Sequence, residues 1–191
     1  MKQKNKNKSF TMVEIMVSIT IFGLVFGIIS AMFASAIKAQ RKSLITQDLL
    51  SQASYSMEYM SRHLRMAKEQ QGGLPANCLS LDGLSYELTA TAATTGIKFV
   101  SYEDPSCCWQ FYLDGGRLKR QVSSCSSKDS NDFLTSANFS VERFKINLVG
   151  GTEGQPRITF SLKMKGTGER PEEQPIIEIQ TTISQRNLNV D

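Results

Sequence analysis

The stretch SFTMVEIMVSITIFGLVFGIISAMFASAI, from Ser9 to Ile37, determines how this chain is organised. No residue from Ile15 to Ile37 carries a charge, and a run of this length is enough to cross a bilayer as one helix. The polar segment 1–9 that precedes the run is basic. Because basic flanks stay on the cytoplasmic side of a membrane, we expect a single span with the N terminus inside and the later residues outside. The basic residues are Lys2, Lys4, Lys6 and Lys8.

Glu14 is the one acid at the start of the apolar stretch. A carboxylate in the first turns of a membrane helix is costly unless another group pairs with it, so such a residue is a functional hypothesis by default. Alternatively, Glu14 lies at the lipid–water boundary beside the lysines, where its charge costs little. These residues alone leave both interpretations open.

The segment KSFTMVE, from Lys8 to Glu14, followed by an apolar helix, resembles the cleavage and methylation motif of type IV prepilins and type II secretion pseudopilins. The resemblance implies that Ser9 ends a leader and that a membrane-embedded prepilin peptidase cuts before Phe10 and methylates its new amino group. Ser9 stands where these families usually have glycine. Glu14 would then be the fifth-position acid, which pairs with the amino terminus of a neighbouring subunit. Such pairing lowers the cost of burying both charges and sets the axial register.

Composition limits the remaining possibilities. The chain has 191 residues, 40 % of them hydrophobic and 21 % charged, which leaves about one domain with enough material for a core beyond the apolar stretch. The four lysines of residues 1–9 account for the whole formal net charge of +4, so a chain that starts at Phe10 is neutral. Without a basic surplus, we predict no direct nucleic-acid binding.

Four cysteines follow the apolar stretch: Cys78, Cys107, Cys108 and Cys125. An even number on the outer, oxidising side of the membrane indicates two disulfides. A bond between the adjacent Cys107 and Cys108 would be strained. Cys78 should therefore pair with one of these two and Cys125 with the other. The spacing does not suit zinc, and we predict no metal site.

The helix is predicted to continue beyond the membrane segment 10–37. Gly23 and Gly27 form a small-xxx-small pair that lets helices approach closely. No glycine or proline occurs between Gly27 and Gly72, so we predict one helix of about 60 residues, about 90 Å long, with an amphipathic part at 38–71. His63 should lie at the rim of this helix. The apolar stripe of the amphipathic part is Ile45, Leu49, Ala53, Met57, Met60, Leu64 and Ala67.

The segment 72–191 is predicted to be a β-rich outer domain, with a hairpin turn at Asp114-Gly115-Gly116 and a polar loop at 126–131. One long helix followed by segregated strands is an α+β architecture, with the helix packed on an antiparallel sheet as in pilins. The stretches LTSANFSVERF from Leu134, QPRITFSL from Gln155 and ISQRN from Ile183 resemble the tail of minor pilins and J- or W-class pseudopilins. The predicted strands are Ser85–Ala90, Gly96–Tyr102, Cys107–Leu113, Arg117–Ser124, Phe139–Val149, Arg157–Lys165 and Pro175–Gln185.

Catalytic motifs are missing from the sequence. It contains no phosphate loop, no Gly-x-Ser-x-Gly, no His-Glu-x-x-His and a single histidine. We therefore predict neither enzymatic activity nor a cofactor.

The resemblance implies a minor structural subunit of a type IV pilus or a type II secretion pseudopilus, inserted in the inner membrane before assembly. Its partners would be prepilin peptidase, other pilin or pseudopilin subunits and the inner-membrane assembly platform. One alternative is an unprocessed single-pass anchored module that binds a ligand outside the cytoplasm. Another is a secreted domain cut by signal peptidase after Ala36, although the apolar run exceeds the ~7–15 residues of a signal peptide core.

Overall fold

The computed structural model describes residues 10–73, 75, 78–90, 95–125, 129–150 and 155–186. The predicted leader, residues 1–9, lies outside them. In the described part, the chain forms one long helix, α1, and nine strands. The elements are α1 Met12–Arg65, β1 Ala67–Lys68, β2 Tyr86–Ala90, β3 Thr95–Ser101, β4 Cys108–Asp114, β5 Arg117–Ser123, β6 Ser130–Phe133, β7 Phe139–Val149, β8 Arg157–Gly166, a short 3-10 helix Pro171–Glu173, and β9 Ile176–Ser184.

Helix α1 is continuous through the apolar and the amphipathic parts of the sequence, over 54 residues. It begins after Thr11, whose extended backbone places its Oγ1 to accept a hydrogen bond from the backbone N–H of Glu14 at 3.3 Å. This cap satisfies one of the free N–H groups of the first turn. The prediction of one long N-terminal helix packed on antiparallel strands, an α+β fold, is confirmed.

The predicted helix end near residue 71 is wrong, because α1 ends at Arg65. The next residues, Ala67 and Lys68, form an edge strand that pairs with β3. The backbone N–H of Tyr102 donates to the carbonyl of Met66 at 3.0 Å. Sheet hydrogen bonds thus replace those that further helical turns would have formed, and tertiary pairing overrides the local helical pattern.

The strands form two antiparallel sheets rather than one. In the first, β3, β4, β5 and β6 lie in that order, and β1 and β2 share the outer edge of β3. The second contains β7, β8 and β9 in sequence order. Each of the seven predicted strands is present, with small changes at its ends. Two strands were not predicted: β1, within the expected helix, and β6, which begins inside the expected polar loop.

The β4–β5 hairpin has the predicted turn. Asp114 pairs with Arg117, and the two residues between them, Gly115 and Gly116, have φ values of 56° and 74°. Glycine reaches positive φ without steric cost, and two such residues give the tight turn whose twist matches that of the strands. Trp109 lies opposite Val122 across the hairpin.

The core lies between α1 and both sheets. The predicted apolar stripe is confirmed: it is buried from Leu49 to Ala67, and Ile45 is half-buried at its start. Each sheet contributes alternate residues of its strands to this core, as period-2 patterning requires. Fully buried members are Ile97, Phe99, Phe111 and Leu118 from the first sheet and Ile158, Phe160, Leu162 and Met164 from the second.

Two disulfides join Cys78 to Cys108 and Cys107 to Cys125. The first attaches the connection after β1 to strand β4, and its sulfurs pack in a small apolar cluster with Leu79 and Val100. The second closes the open end of the β4–β5 hairpin. Together they limit the conformational freedom of this part of the chain in the unfolded state.

His63 is half-buried on the last turns of α1, in an aromatic stack between Tyr59 and Trp109. The ring centroids are 4.5 Å from Tyr59 and 4.6 Å from Trp109. Burial lowers the pKa of His63; Glu103 opposes this shift, whereas Arg120 and Arg62 add to it. The expected rim position is thus only partly correct, since the imidazole is a packing group.

Tyr86 anchors the first sheet to the end of α1. Its hydroxyl, on a side chain that is 4 % exposed, donates to the carbonyl of Leu64 at 2.5 Å. This carbonyl lies in the last turn, where helical partners are missing. Burial also raises the pKa of Tyr86, so that the phenol stays a donor throughout the physiological range.

We expect Tyr86→Phe to destabilise the domain by about 1–2 kcal/mol, because it removes the phenol that donates to the buried Leu64 carbonyl. The measurement is urea unfolding of the detergent-solubilised chain, followed by the fluorescence of its one tryptophan, Trp109. The control is Tyr102→Phe at an exposed ring, for which we expect a change within about 0.5 kcal/mol. Equal effects of the two substitutions would show that the Tyr86 bond contributes nothing.

We expect the domain to lose stability as the pH falls below about 6.5, the ordinary pKa of histidine. Because the folded state lowers the pKa of His63, the unfolded chain takes up this proton first, and stability that is complete at neutral pH is lost on acidification. In the His63→Gln variant, the free energy of unfolding should change less between about pH 7 and pH 5. The test is the urea midpoint of unfolding, measured by circular dichroism at several pH values. The same change of this midpoint with pH in both chains would refute the role of His63.

Candidate functional site

The N-terminal part of α1 is exposed along its whole length. Every residue from Met12 to Leu44 is exposed, and contact with the domain begins only at Ile45 and Leu49. Soluble monomers rarely expose apolar patches of more than a few hundred Å². The large side chains on this surface are Met12, Val13, Ile15, Met16, Val17, Ile19, Ile21, Phe22, Leu24, Val25, Phe26, Ile28, Ile29, Met32, Phe33 and Ile37.

This part of α1 is long and apolar enough to cross a membrane. Its most apolar window of 18 residues has a mean hydropathy of 2.4, and none of that window is buried by the fold. A core helix of a soluble domain would instead be covered by its neighbours. The surface therefore needs lipid or other helices around it.

Three hydroxyl groups on the exposed helix are satisfied internally. Ser18 donates to the Glu14 carbonyl at 2.7 Å, and Ser30 donates to the Phe26 carbonyl at 2.8 Å. Thr20 makes the same kind of bond to the Val17 carbonyl at 2.8 Å. Since these donors need no outside partner, the polar residues of the segment do not prevent its burial in an apolar environment.

Glu14 is the exception among these polar residues. Its backbone N–H is capped by Thr11, and its side chain is exposed. Within the described part of the chain, no side chain forms an ion pair or hydrogen bond with its carboxylate. The first turn carries the positive end of the helix dipole, which favours an acid there only modestly. Full burial of this helix would leave a carboxylate that requires a cationic partner.

Phe10 lies just before Thr11 and is 74 % exposed, whereas Ser9 falls outside the described residues. Phe10, the methylation candidate, is therefore accessible, and it lies four residues before Glu14. Phe10 and Glu14 lie at the same end of α1.

Gly23 and Gly27 lie on one face of the exposed helix, and a Cβ built at either residue meets no atom within 4 Å. Nothing inside the subunit therefore requires glycine at these positions. Thr20, Ser30 and Ala34 extend the same face at spacings of three and four, which gives a stripe of small residues. Only the glycine pair was predicted from the sequence, although the spacing alone reveals the whole stripe.

The domain offers one group of potential metal ligands in the described residues, namely Asp104, Cys107 and Cys125. Both sulfurs are joined in a disulfide, so they offer no thiolate to a metal. His63 is committed to its aromatic stack. These cysteines and the histidine are thus engaged in a disulfide and in packing.

In a comparison with known families, residues 4–30 match the family described as the prokaryotic N-terminal methylation motif. Comparisons with curated proteins and with solved structures give no match. The chain therefore carries the N-terminal signal of type IV pilins and pseudopilins, which indicates processing by prepilin peptidase and assembly with other pilin subunits.

Proposed function

We propose that this protein is a minor structural subunit of a type IV pilus or a type II secretion pseudopilus, which initiates or caps the filament. The observation that carries the proposal is the unbroken helix α1. It is exposed from Met12 to Leu44 and apolar up to Ile37, and it buries one face in the domain from Leu49 onward. A filament subunit needs this arrangement, because its helix packs in the filament core while its domain faces outward.

Maturation would begin in the inner membrane. The lysines of residues 1–9 hold that end in the cytoplasm, and the domain after Ile37 lies outside. Prepilin peptidase cuts between Ser9 and Phe10 and methylates Phe10. Removal of the leader also removes four positive charges close to the apolar helix, which lowers the cost of withdrawing that helix from the bilayer.

Assembly would use the two features of the exposed helix that have no role inside the subunit. The Glu14 carboxylate accepts the new amino group of Phe10 from a neighbouring subunit, so that both charges are buried as a pair. The stripe around Gly23 and Gly27 lets a neighbouring helix approach closely. A single buried ion pair among apolar surfaces also fixes the axial register of adjacent helices.

The direct connection between α1 and the domain supports the same role. No flexible linker separates the apolar part of α1 from the part buried under the sheets. Movement of the helix by the inner-membrane assembly platform would therefore be transmitted directly to the domain. The mature subunit would end in a cell-surface pilus or a periplasmic pseudopilus.

The N terminus of the protein purified from its own membranes tests the proposed maturation. We expect a chain that begins at Phe10 and carries one additional methyl group, as read by intact mass and N-terminal sequencing. An uncut chain that begins at Met1 would instead support an anchored binding module. A chain that begins at Ile37 would identify a secreted domain.

We expect Glu14→Ala to leave membrane insertion and leader removal intact but to abolish incorporation into filaments, because the neighbour's amino group loses its partner. Incorporation is measured by recovery of the chain with sheared or affinity-purified filaments. Glu58→Ala is the matched control, since Glu58 is an exposed acid on α1 outside the apolar part. Normal incorporation of Glu14→Ala would refute the register role.

A further inference from the structure

A cavity of about 480 Å³, here called the arginine pocket, lies where the last turns of α1 meet the end of β9. It is lined by Arg62 and Arg65 from α1 and by Arg186 from the residues after β9. Glu58 is the one acid among its lining residues in the described part of the chain, and it accepts a hydrogen bond from Arg62 at 2.7 Å. Three arginines against one glutamate leave the pocket with a surplus of positive charge.

The backbone at Arg186 is held in place by three hydrogen bonds. Its own N–H donates to the Arg65 carbonyl at 2.9 Å. The preceding residue, Gln185, is buried; its side chain donates to the Ala67 carbonyl at 3.0 Å, and its carbonyl accepts from the Gln155 side chain at 2.8 Å. The fold therefore adds a third guanidinium group to the two from α1, although like charges repel each other.

Contacts within the subunit do not account for this set of donors. Among the described residues, Arg65 and Arg186 form no ion pair, and the pocket hydroxyls of Ser61 and Thr181 form no hydrogen bond. The dipole at the C-terminal end of α1 favours cations on its last turn, but it does not explain Arg186, which lies on a different element. Two guanidinium groups and two hydroxyls thus remain to donate to acceptor oxygens of another molecule.

The walls and the position of the pocket indicate what carries those oxygens. Met57 and Met66 line it, and methionine adapts to apolar groups of varied shape. A phosphate ion would leave this apolar wall unused. Arg65 lies 28 residues beyond Ile37, the end of the apolar stretch, which is about 42 Å along the helix, so the lipid headgroups around that stretch are far from the pocket.

We propose that the arginine pocket binds an acidic peptide segment of a partner protein. Its carboxylates accept hydrogen bonds from Arg65 and Arg186, and an apolar side chain beside them packs on the methionines. Guanidinium groups suit this ligand because their planar fork binds a carboxylate through two parallel hydrogen bonds. The inference is independent of the filament role, since the outer domain and the part of α1 that packs on it form the whole pocket.

Binding of a fluorescent acidic peptide to the full-length chain in a non-ionic detergent tests the site. The probe is a capped peptide in which glutamates flank one leucine, and fluorescence anisotropy at neutral pH reports the fraction bound. We expect the double variant Arg65→Gln, Arg186→Gln to lose affinity by about tenfold or more, because it loses two charge-assisted contacts.

The matched control variant is Arg170→Gln with Lys145→Gln, which removes the same amount of charge from exposed positions outside the pocket. Its affinity for the probe should stay within about twofold of the native value, because salt screens distant charges. A probe with glutamine in place of each glutamate should not bind. Absence of binding by the glutamate probe, or equal loss of affinity in the pocket and control variants, would overturn the proposal.

Inorganic phosphate is the second probe, and it separates a peptide site from a general anion site. We expect phosphate to displace the glutamate peptide only at concentrations far above the dissociation constant of that peptide. Displacement at concentrations equal to those of unlabelled peptide would show that the pocket takes any oxyanion, and the assignment to a peptide would then be wrong.

A further measurement needs no substitution and therefore does not depend on the folding of a variant. Phenylglyoxal modifies accessible guanidinium groups, and mass spectrometry of the digested chain reads each site. We expect saturating glutamate peptide to protect Arg65 and Arg186 from modification but to leave the exposed Arg170 as reactive as before. Equal modification of Arg65 and Arg186 with and without the peptide would show that the peptide binds elsewhere.

Discussion

The structure depends on the burial of one face of α1, from Leu49 to Leu64, under two antiparallel sheets. Each sheet has an apolar face that the helix covers, and among the described residues these two faces are what covers the helix stripe. Because a helix is rigid over this distance, fixing its distal half also fixes the direction in which Met12–Leu44 projects. The exposed apolar surface is thus a consequence of how the domain packs.

Local bonds then secure the domain to this helix. The Tyr86 hydroxyl caps a carbonyl near the end of α1, and the aromatic stack of His63 covers the same turns from the first sheet. The disulfides Cys78–Cys108 and Cys107–Cys125 hold the loops of that sheet. A subunit fastened in this way can be moved by its helix as a single body, which is the mechanical requirement of the role that we propose.

Much of this could be predicted because it depends on neighbours in the sequence. The apolar stripe of α1 and the turn at Gly115-Gly116 follow from spacing and from the conformational range of glycine. The end of α1 could not be predicted, since Ala67 and Lys68 leave the helical pattern to pair with β3, distant in sequence. Strand β6 was missed for a similar reason, because its polar residues form a strand by adding to β5.

The sequence by itself determined an apolar helix able to cross a membrane, the methylation motif over residues 4–30 and the likelihood of disulfides from an even cysteine count. These features reside in contiguous residues or in composition. Only the tertiary structure decided that Cys78 pairs with Cys108, that His63 is stacked, and that Arg186 joins the arginines of α1. Each of these depends on packing that brings together residues far apart in the chain, which no local pattern encodes.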